Sequence, residues 1–335
     1  MPERPRLTPA IADVRRAVRA ALPDTGPADG PDGAPAGLVL VALSGGPDSL
    51  ALAAATAFEA PRAGLRAGAV VVDHALQPGS ADVAERAAAQ ARDLGLDPVL
   101  IERVDVGPDG GPEGAARAAR YAALDRVAAD RGALAVLLGH TLDDQAETVL
   151  LALARGSGPG SLRGMAPESG RYRRPLLAIR RATTIAACSD AGLEPWDDPW
   201  NADPAYARAR VRAAVLPVLE AELGPGIAEA LARTAELLAE DADALDAFAD
   251  EVAEDLAEHV PGGIALPVAA LAANPPALRQ RLVRLAVRAE FGVSLSRAQT
   301  LAVTRLVTDW HGQDGPDLPG VIVDRRAGMI EFRAR

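Results

Sequence analysis

The most informative absence in this 335-residue sequence is lysine, because all 35 basic side chains are arginines. A reaction that needs a protein ε-amine, such as a Schiff base or a covalent lysyl-adenylate, is therefore excluded. A Walker-A phosphate loop is excluded for the same reason, since that loop contains a lysine.

Cysteine, aromatic residues and long apolar runs are also scarce. The single cysteine, Cys188, excludes an internal disulfide and any CxxC metal or redox pair. Aromatic residues make up 3% of the chain, so the core must consist mostly of alanine, leucine and valine. The apolar runs fall far short of the ~20 residues that span a bilayer, and the start does not resemble a signal peptide. We expect a cytoplasmic protein with no membrane partner.

The net charge of −11 argues against a nucleic-acid partner for the chain as a whole. Phosphate contacts depend on local clusters, however, and arginines cluster at 171–181, 208–212 and 279–288. Each cluster could equally be a solvated helix face, so charge alone leaves both interpretations open.

Apolar runs alternate with helical patterns through the first two thirds of the chain. The runs 38–43, 67–72, 98–104 and 134–138 suit buried parallel strands, and amphipathic or Ala/Leu-rich segments lie between them. This alternation predicts an α/β fold with a doubly wound, mostly parallel sheet and a site at the carboxyl ends of the strands.

The pattern predicts three regions. Residues 1–37 contain a helix at 8–21 and a flexible Pro/Gly linker, and residues 38–224 form the α/β domain. Residues 225–335 form a second, smaller and mainly helical domain that ends in a hairpin at 320–332.

A glycine-containing loop follows the first predicted strand. Its members are Ser44, Gly45, Gly46, Pro47, Asp48 and Ser49. Two glycines let the backbone approach an anion, and the next helix begins with free N–H groups. Asp48 would repel a phosphate unless Mg²⁺ bridged the two, so the loop predicts a phosphate site with a metal.

The segment GHTLDDQAET follows the fourth predicted strand. On a helix, His140, Asp144 and Glu147 share one face, which suits metal binding and proton transfer. Asp143 points elsewhere, and we interpret it as a solvated helix cap.

Two more sets of polar residues fall near strand ends. Asp73 and His74 follow the second strand and are candidate nucleotide ligands, although a lone histidine such as His74 is more often structural. Arg117 and Arg120 lie three residues apart on one predicted helix, where both could contact a phosphate or a carboxylate.

Together these motifs carry a family resemblance. SGGPDS resembles the loop of the PP-loop ATP pyrophosphatases, and VDHALQPGS, ARAARY, RGSGPGSLRGM, RPLLAIRR and DPWNADPAYARARVR are similar, in order, to motifs of the tRNA(Ile)-lysidine synthase family. The match covers about residues 38–220. The segment 275–335 resembles the family's first C-terminal domain, as in its short form.

The resemblance implies a two-step ligation. In that family, the wobble cytidine of tRNA(Ile) with a CAU anticodon is adenylated from ATP, and free L-lysine then displaces AMP from carbon 2. The site residues that the resemblance implies are Ser44–Ser49 for pyrophosphate, Asp48 and Asp144 for Mg²⁺, and His140, Glu147 and Arg120 around the reacting groups. A lysine ε-amine with a pKa of about 10.4 needs a base at neutral pH; Glu147, Asp144 and His140 all stay open for that role.

Binding of tRNA is expected to rest on arginines and on the second domain. The candidates are Arg117, Arg174, Arg208, Arg210 and Arg212. A flipped wobble base could stack on Trp200, Tyr121 or Tyr206. The sequence does not determine the oligomeric state, so a homodimer stays open as an alternative to a monomer.

Three positions depart from the family pattern. Gln77, Trp200 and Ala209 stand where the family usually has arginine, serine and asparagine.

Three other functions are less consistent with the sequence. tRNA 2-thiolation needs more cysteines than Cys188 for sulfur relay or an iron–sulfur cluster. A catalytically inactive tRNA-binding module predicts loss of the site carboxylates, and all are present. A metabolite ligase would not explain the arginine-rich second domain.

Overall fold

The computed structural model describes residues 7–24, 37–75, 77, 79–107, 111–156 and 158–335. Most of the predicted linker lies outside these described residues. The chain divides into two compact units, Met1–Glu236 and Leu237–Arg335.

The first unit alternates strands and helices, as the sequence pattern predicts. Its strands are β1 (Gly37–Leu43), β2 (Leu65–Asp73), β3 (Val99–Arg103), β4 (Ala133–Leu138), β5 (Glu168–Ser169) and β6 (Tyr172–Arg173). Its helices are α1 (Pro9–Ala21), α2 (Pro47–Glu59), α3 (Ser80–Asp93), α4 (Gly111–Asp130), α5 (Leu142–Ala154), α6 (Pro159–Leu162), α7 (Arg181–Asp190), α8 (Ala207–Arg210) and α9 (Leu216–Leu223). A π-helical segment, Val211–Val215, joins α8 to α9, and α10 (Ile227–Leu256) begins near the end of the unit.

The strands form one six-stranded sheet in the order β3-β2-β1-β4-β6-β5. All pairs are parallel except β5 with β6. The chain moves outward from β1 through β2 to β3 and then returns to the other side of β1 as β4. The strand order therefore reverses between β1 and β4, and ligands of doubly wound sheets bind at the carboxyl ends of such a pair. The predicted fold class is confirmed.

The pleat of β1 divides the core between the two faces of the sheet. Val39, Val41 and Leu43 pack in a cluster with residues of α1, α2, α3 and α7. Leu38 and Leu40 pack in a second cluster, which includes residues of α4. Successive side chains of a strand point to opposite faces, so a continuous apolar run marks a strand that is covered on both sides.

The second unit combines helices with an antiparallel sheet. Its strands are β7 (Glu258–Val260), β8 (Gly263–Pro267), β9 (Val321–Arg326) and β10 (Met329–Ala334), in the order β7-β8-β10-β9. Its further helices are α11 (Val268–Ala273), α12 (Pro276–Phe291) and α13 (Arg297–Thr308). The predicted hairpin is confirmed as β9 and β10, whereas β7 and β8 were not predicted. No helix among the described residues combines the length and apolarity that crossing a bilayer requires.

Candidate active site

The loop at 44–49 connects β1 to α2 and leaves the start of that helix open. Gly45 has φ +84°, a left-handed conformation that favours glycine. Gly46 is the N-cap of α2 and supplies no side chain to the first turn. The Ser49 hydroxyl donates to the Gly46 carbonyl at 3.0 Å, and its oxygen lies 3.1 Å from that of Ser44. The serines therefore brace the loop, while the helix terminus can receive an anion.

Gly139 brings the end of β4 against the first turn of α2. A Cβ atom at this position would lie 3.1 Å from both the Asp48 carbonyl carbon and the Ser49 amide nitrogen. Those neighbours are backbone atoms and cannot give way as a flexible side chain could. The glycine is therefore needed to hold the phosphate loop beside the segment that follows β4.

Helix α5 begins with a capping box that also orients an acidic residue. Thr141 is the N-cap, and both its N–H and its hydroxyl donate to Asp144 Oδ2 at 2.8 Å. The other oxygen, Asp144 Oδ1, remains for the site. Because the helix starts at Leu142, the prediction that His140 shares a helical face with Asp144 and Glu147 is wrong. His140 instead lies in the turn between β4 and α5.

Three carboxylates converge on one arginine, which we call the carboxylate cluster (Asp48, Asp144 and Glu147). The Arg181 guanidinium contacts them at 3.3, 2.6 and 3.3 Å, with a different nitrogen for each. Arg212 holds Glu147 through two hydrogen bonds of 2.7 and 3.1 Å. Three negative and two positive formal charges leave one negative charge unbalanced.

The groups of this site come from distant parts of the sequence. Arg181 is the first residue of α7, and the Thr184 hydroxyl, one turn later, donates to Asp48. Arg212 lies in the π-helical segment, a type of helix that is frequent at functional sites. The sequence pattern placed Arg181 in an arginine cluster considered for phosphate contacts, not beside the carboxylates, and it gave no indication of Thr184. The pair Arg180-Arg181 directly before a predicted helix was the available signal.

Burial and the arginines act in opposite directions on the carboxylates. Burial raises the pKa of Asp48 above its ordinary value, despite the Thr184 hydroxyl and Arg181. Burial also acts to raise the pKa of Asp144, but Arg181 and the Thr141 hydrogen bonds outweigh it, so that pKa is lowered. The two carboxylates therefore differ in proton affinity although they share a cation.

Asp143 belongs to a structural ion pair, so its prediction as a solvated cap is wrong. Its carboxylate accepts two hydrogen bonds from Arg180, at 3.1 and 3.2 Å, and one from the Arg181 N–H at 2.7 Å. Arg180 also donates to Glu229 at 2.5 Å. These contacts fix the start of α7, and with it the position of Arg181.

A cleft of about 580 Å³ opens beside the phosphate loop at the ends of β1 and β2. Its wall includes Ser44, Asp73, His74, Arg120, Trp196 and Trp200. Two of these residues, His74 (Nδ1) and Arg120 (Nε), have a buried nitrogen with no hydrogen-bond partner among the described residues. Burial and the charge of Arg120 lower the pKa of His74. Buried polar atoms that lack a partner are costly unless a ligand satisfies them.

His140 lies in a positively charged environment. Burial, followed by the charge of Arg120, lowers its pKa well below the ordinary value, and Arg174 and Arg117 act in the same direction. Its Nδ1 is buried without a partner. The imidazole is therefore neutral at pH 7 and has a free nitrogen.

The other predicted arginines occupy three kinds of position. Arg117 donates to the Tyr121 hydroxyl at 3.3 Å and lies over its ring. Arg174 donates to the Ala166 carbonyl at 2.7 Å, while its Nε has no partner. Arg208 donates to Thr148 at 3.1 Å, so with Arg212 it faces α5. Arg210, the last residue of α8, instead donates to the carbonyls of Pro204 and Ala205 in the loop before that helix, at 2.6 and 2.9 Å.

The carboxylate cluster has the ligand chemistry that magnesium prefers, and Asp48 and Asp144 converge on one guanidinium. Mg²⁺ usually takes one or two carboxylates together with substrate phosphates and water. No group of three or more acidic, histidine or cysteine residues arranged around a metal position occurs in the part of the chain that the structure describes. The two carboxylates therefore fit a magnesium ion only if Arg181 releases them.

Two family models match the chain: a PP-loop domain over residues 25–219 and a TilS substrate binding domain over residues 266–330. The tRNA(Ile)-lysidine synthase of Leifsonia xyli subsp. xyli is 65% identical, over 94% of this chain and 97% of its own length. The protein of the same name from Thermobifida fusca is 58% identical, over 95% of each chain.

A solved structure is similar in fold alone. The U34-tRNA thiolase NcsA from Methanococcus maripaludis, with its 4Fe–4S cluster, superposes with a TM-score of 0.55 at 21% identity. The match covers 69% of this chain and 79% of the thiolase chain.

Proposed function

Because this chain belongs to the tRNA(Ile)-lysidine synthase family, we propose that it attaches free L-lysine to carbon 2 of the wobble cytidine of tRNA(Ile) with a CAU anticodon. The family consists of PP-loop ligases that use ATP. The modified tRNA would then read the codon AUA. The observation that supports this chemistry best is the convergence of an open helix terminus and the carboxylate cluster at the ends of β1 and β4.

The first step is transfer of an adenylyl group to the base. The cytosine 2-oxo oxygen attacks the α-phosphate of ATP, a phosphorus–oxygen bond forms, and pyrophosphate leaves. We assign the loop Ser44–Ser49 to the departing pyrophosphate, because the α2 terminus offers N–H groups there. Asp73, His74 and Arg120 line the adjoining cleft, which we assign to the adenosine and the adenylate.

The second step is attack by the lysine ε-amine on carbon 2. The new carbon–nitrogen bond forms as the carbon–oxygen bond to AMP breaks, and the amine loses a proton. Only about one amine in 2,500 is neutral at pH 7, so a nearby acceptor is required. The carboxylate cluster attracts the ammonium through its unbalanced negative charge. Glu147, Asp144 and neutral His140 are the proton acceptors within this region.

We propose Asp48 and Asp144 as the protein ligands of Mg²⁺. When bound, the ion would neutralise charge on the phosphates. The contacts of Arg181 with both carboxylates make this guanidinium the group that must move aside.

We assign recognition of the tRNA to arginines of the first unit and to the second unit. The substrate-binding family model covers residues 266–330, within the second unit. In the first unit the candidates are Arg117, Arg174, Arg208, Arg210 and Arg212. Arg117 is exposed and stacked on Tyr121, which suits a contact with a phosphate or a base.

The buried cysteine argues against tRNA 2-thiolation. Cys188 is buried, and its thiol donates to the Pro47 carbonyl at 3.2 Å. Burial raises the pKa of this thiol to about 12. A sulfur relay needs a reactive, accessible thiolate, and this side chain supplies neither property.

Incorporation of radiolabelled lysine tests the proposal directly. With ATP and Mg²⁺, we expect label in unmodified tRNA(Ile) with a CAU anticodon and none in a transcript with uridine at the wobble position. Asp48→Ala should abolish incorporation. Pyrophosphate release without lysine incorporation would mean that another nucleophile completes the reaction. Absence of both signals, with tRNA still bound, would favour an inactive binding module.

A further inference from the structure

A short segment, residues 193–198, lies against the phosphate loop, and we call it the strap. The side-chain amide of Gln90, on α3, pairs with the backbone of Glu194 in the strap. Gln90 Nε2 donates to the Glu194 carbonyl at 3.1 Å, and the Glu194 N–H donates to Gln90 Oε1 at 3.1 Å. The amide thus satisfies both backbone groups of one residue, as a neighbouring β-strand would.

The strap in turn contacts the phosphate loop. The Trp196 N–H donates to the Gly45 carbonyl at 2.9 Å. In a trans peptide the carbonyl and the following N–H point in opposite directions. Fixing the Gly45 carbonyl toward Trp196 therefore turns the Gly46 N–H away from the strap. This N–H belongs to the N-cap residue of α2, where the loop can receive an anion.

Packing makes the loop sensitive to the strap and to α3. A Cβ atom at Gly45 would lie 3.3 Å from that of Ala87, on α3, and 3.9 Å from that of Trp196. A second cleft of about 580 Å³ lies between the strap and α3, lined by residues that include Gln90 and Trp196. Trp196 also lines the cleft beside the phosphate loop. Because open volume lies on both sides of the strap, its hydrogen bonds must fix its position.

We propose that Gln90 is a positioning residue for ATP. It does not touch the substrate. It holds the strap, the strap holds the Gly45–Gly46 peptide, and that peptide presents an N–H to the phosphates. The inference depends on the proposed function only in taking ATP as the ligand of the loop.

The test compares ATP binding with the use of the other substrates. Gln90→Leu keeps the approximate size of the side chain and removes both hydrogen bonds. We expect the Kd of ATP, measured by titration calorimetry, to rise about tenfold, because the Gly46 N–H would lose its fixed orientation, and one hydrogen bond to a charged group contributes about that much. The KM of ATP should rise in parallel. The KM values of lysine and tRNA, and kcat at saturating ATP, should stay within about twofold. Gln90→Glu retains the acceptor and should have an intermediate effect.

Glu85→Leu is the matched control on the same helix. Among the described residues, the only ion pair of Glu85 is a long one to Arg92, at 3.8 Å. Glu85 lines neither of the two clefts. All constants should stay at their wild-type values in this variant. The inference is overturned if Gln90→Leu leaves the ATP Kd unchanged, or if it raises the KM values of all three substrates together, as general loss of structure would. A wild-type protein that binds ATP but incorporates no lysine would overturn the proposed function and leave this inference standing.

Discussion

Arg181 controls which cations the carboxylate cluster can accept. Its guanidinium directs one nitrogen to each of Asp48, Asp144 and Glu147. Burial of Glu147 is complete, so its charge depends on Arg181 and Arg212 for compensation. A magnesium ion or a lysine ammonium that enters the cluster must therefore compete with an arginine already in place. While Arg181 stays in place, an incoming cation can interact only with the one negative charge of the cluster that the arginines leave unbalanced.

His140 gives the first unit a defined dependence of stability on pH. Its pKa is lowered in the folded state, so below about pH 6.5 the unfolded chain binds a proton that the folded chain does not. Stability therefore falls as pH decreases through that value. His74 has a lowered pKa as well and acts in the same direction. For His140 we expect the free energy of unfolding to drop by up to about 2 kcal/mol between pH 7 and pH 5.

The measurement is chemical denaturation of the wild type and of His140→Asn at both pH values. The asparagine removes the titrating group, so the drop in the variant should be smaller by up to about 2 kcal/mol. His311→Asn is the control, since His311 is exposed in the second unit. An unchanged drop in His140→Asn would show that His140 does not titrate as described.

At the scale of elements, local sequence signals predicted the fold well and the site in part. The runs that became β1, β2 and β4 were visible because a strand covered on both faces is continuously apolar. The loop at 44–49 and the start of α5 follow such strands directly, so their proximity could be predicted from the parallel topology. Strand β8 could not be predicted, because its short run is flanked by glycine and proline and is paired mainly with the distant β10.

Long-range pairing accounts for what the sequence could not reveal in the site. Arg181 is separated from Asp48 by 133 positions and meets it only because α7 packs on α2. The partner of Asp143 is likewise set by tertiary structure, so a solvated cap was the natural prediction for a charged residue in a first helical turn. His140 was predicted on the helix because the helical spacing of the acidic residues was extended toward the N-terminus, past the N-cap Thr141.

Helix α1 is joined to α2 by an ion pair of which only the acidic partner is buried. Arg19 contacts Glu59 at 2.7 and 3.0 Å, and Glu59 is only 1% exposed. Arg19→Ala would remove the cation that is hydrogen-bonded to a buried carboxylate, so we expect a clear loss in the free energy of unfolding, larger than that of Arg16→Ala. The double variant Arg19→Met with Glu59→Leu should recover most of that loss, because it removes both charges.

Denaturation of the three proteins checks this expectation, with Arg16→Ala as the control. Arg16 lies on the same helix, and its contact with Asp13 is largely exposed, so its removal should cost less than about 1 kcal/mol. Equal losses for Arg19→Ala and Arg16→Ala would contradict the importance of the buried partner. Failure of the double variant to recover would point to packing by the Arg19 stem.

For the whole molecule, the arrangement of charge matters more than its sum. The chain carries a net charge of −11, yet Arg117, Arg120 and Arg174 create a local positive field around His140. The excess of acidic residues elsewhere in the chain repels a polyanion. A tRNA should therefore bind through a limited number of phosphate contacts, and its affinity should depend on salt accordingly.

The salt dependence of the KM of tRNA counts those contacts. Each neutralised phosphate contributes a slope of about 0.7–0.9 in a plot of log KM against log salt concentration, so four or five arginine contacts predict a slope of about 3–4. Arg117→Ala should lower the slope by the contribution of about one contact, because this guanidinium is exposed and its hydrogen bond to Tyr121 is long, at 3.3 Å. Arg16→Ala, equally exposed on α1, should leave it unchanged. If both variants keep the wild-type slope, the tRNA phosphates lie on another surface, and the second unit becomes the place to search for them.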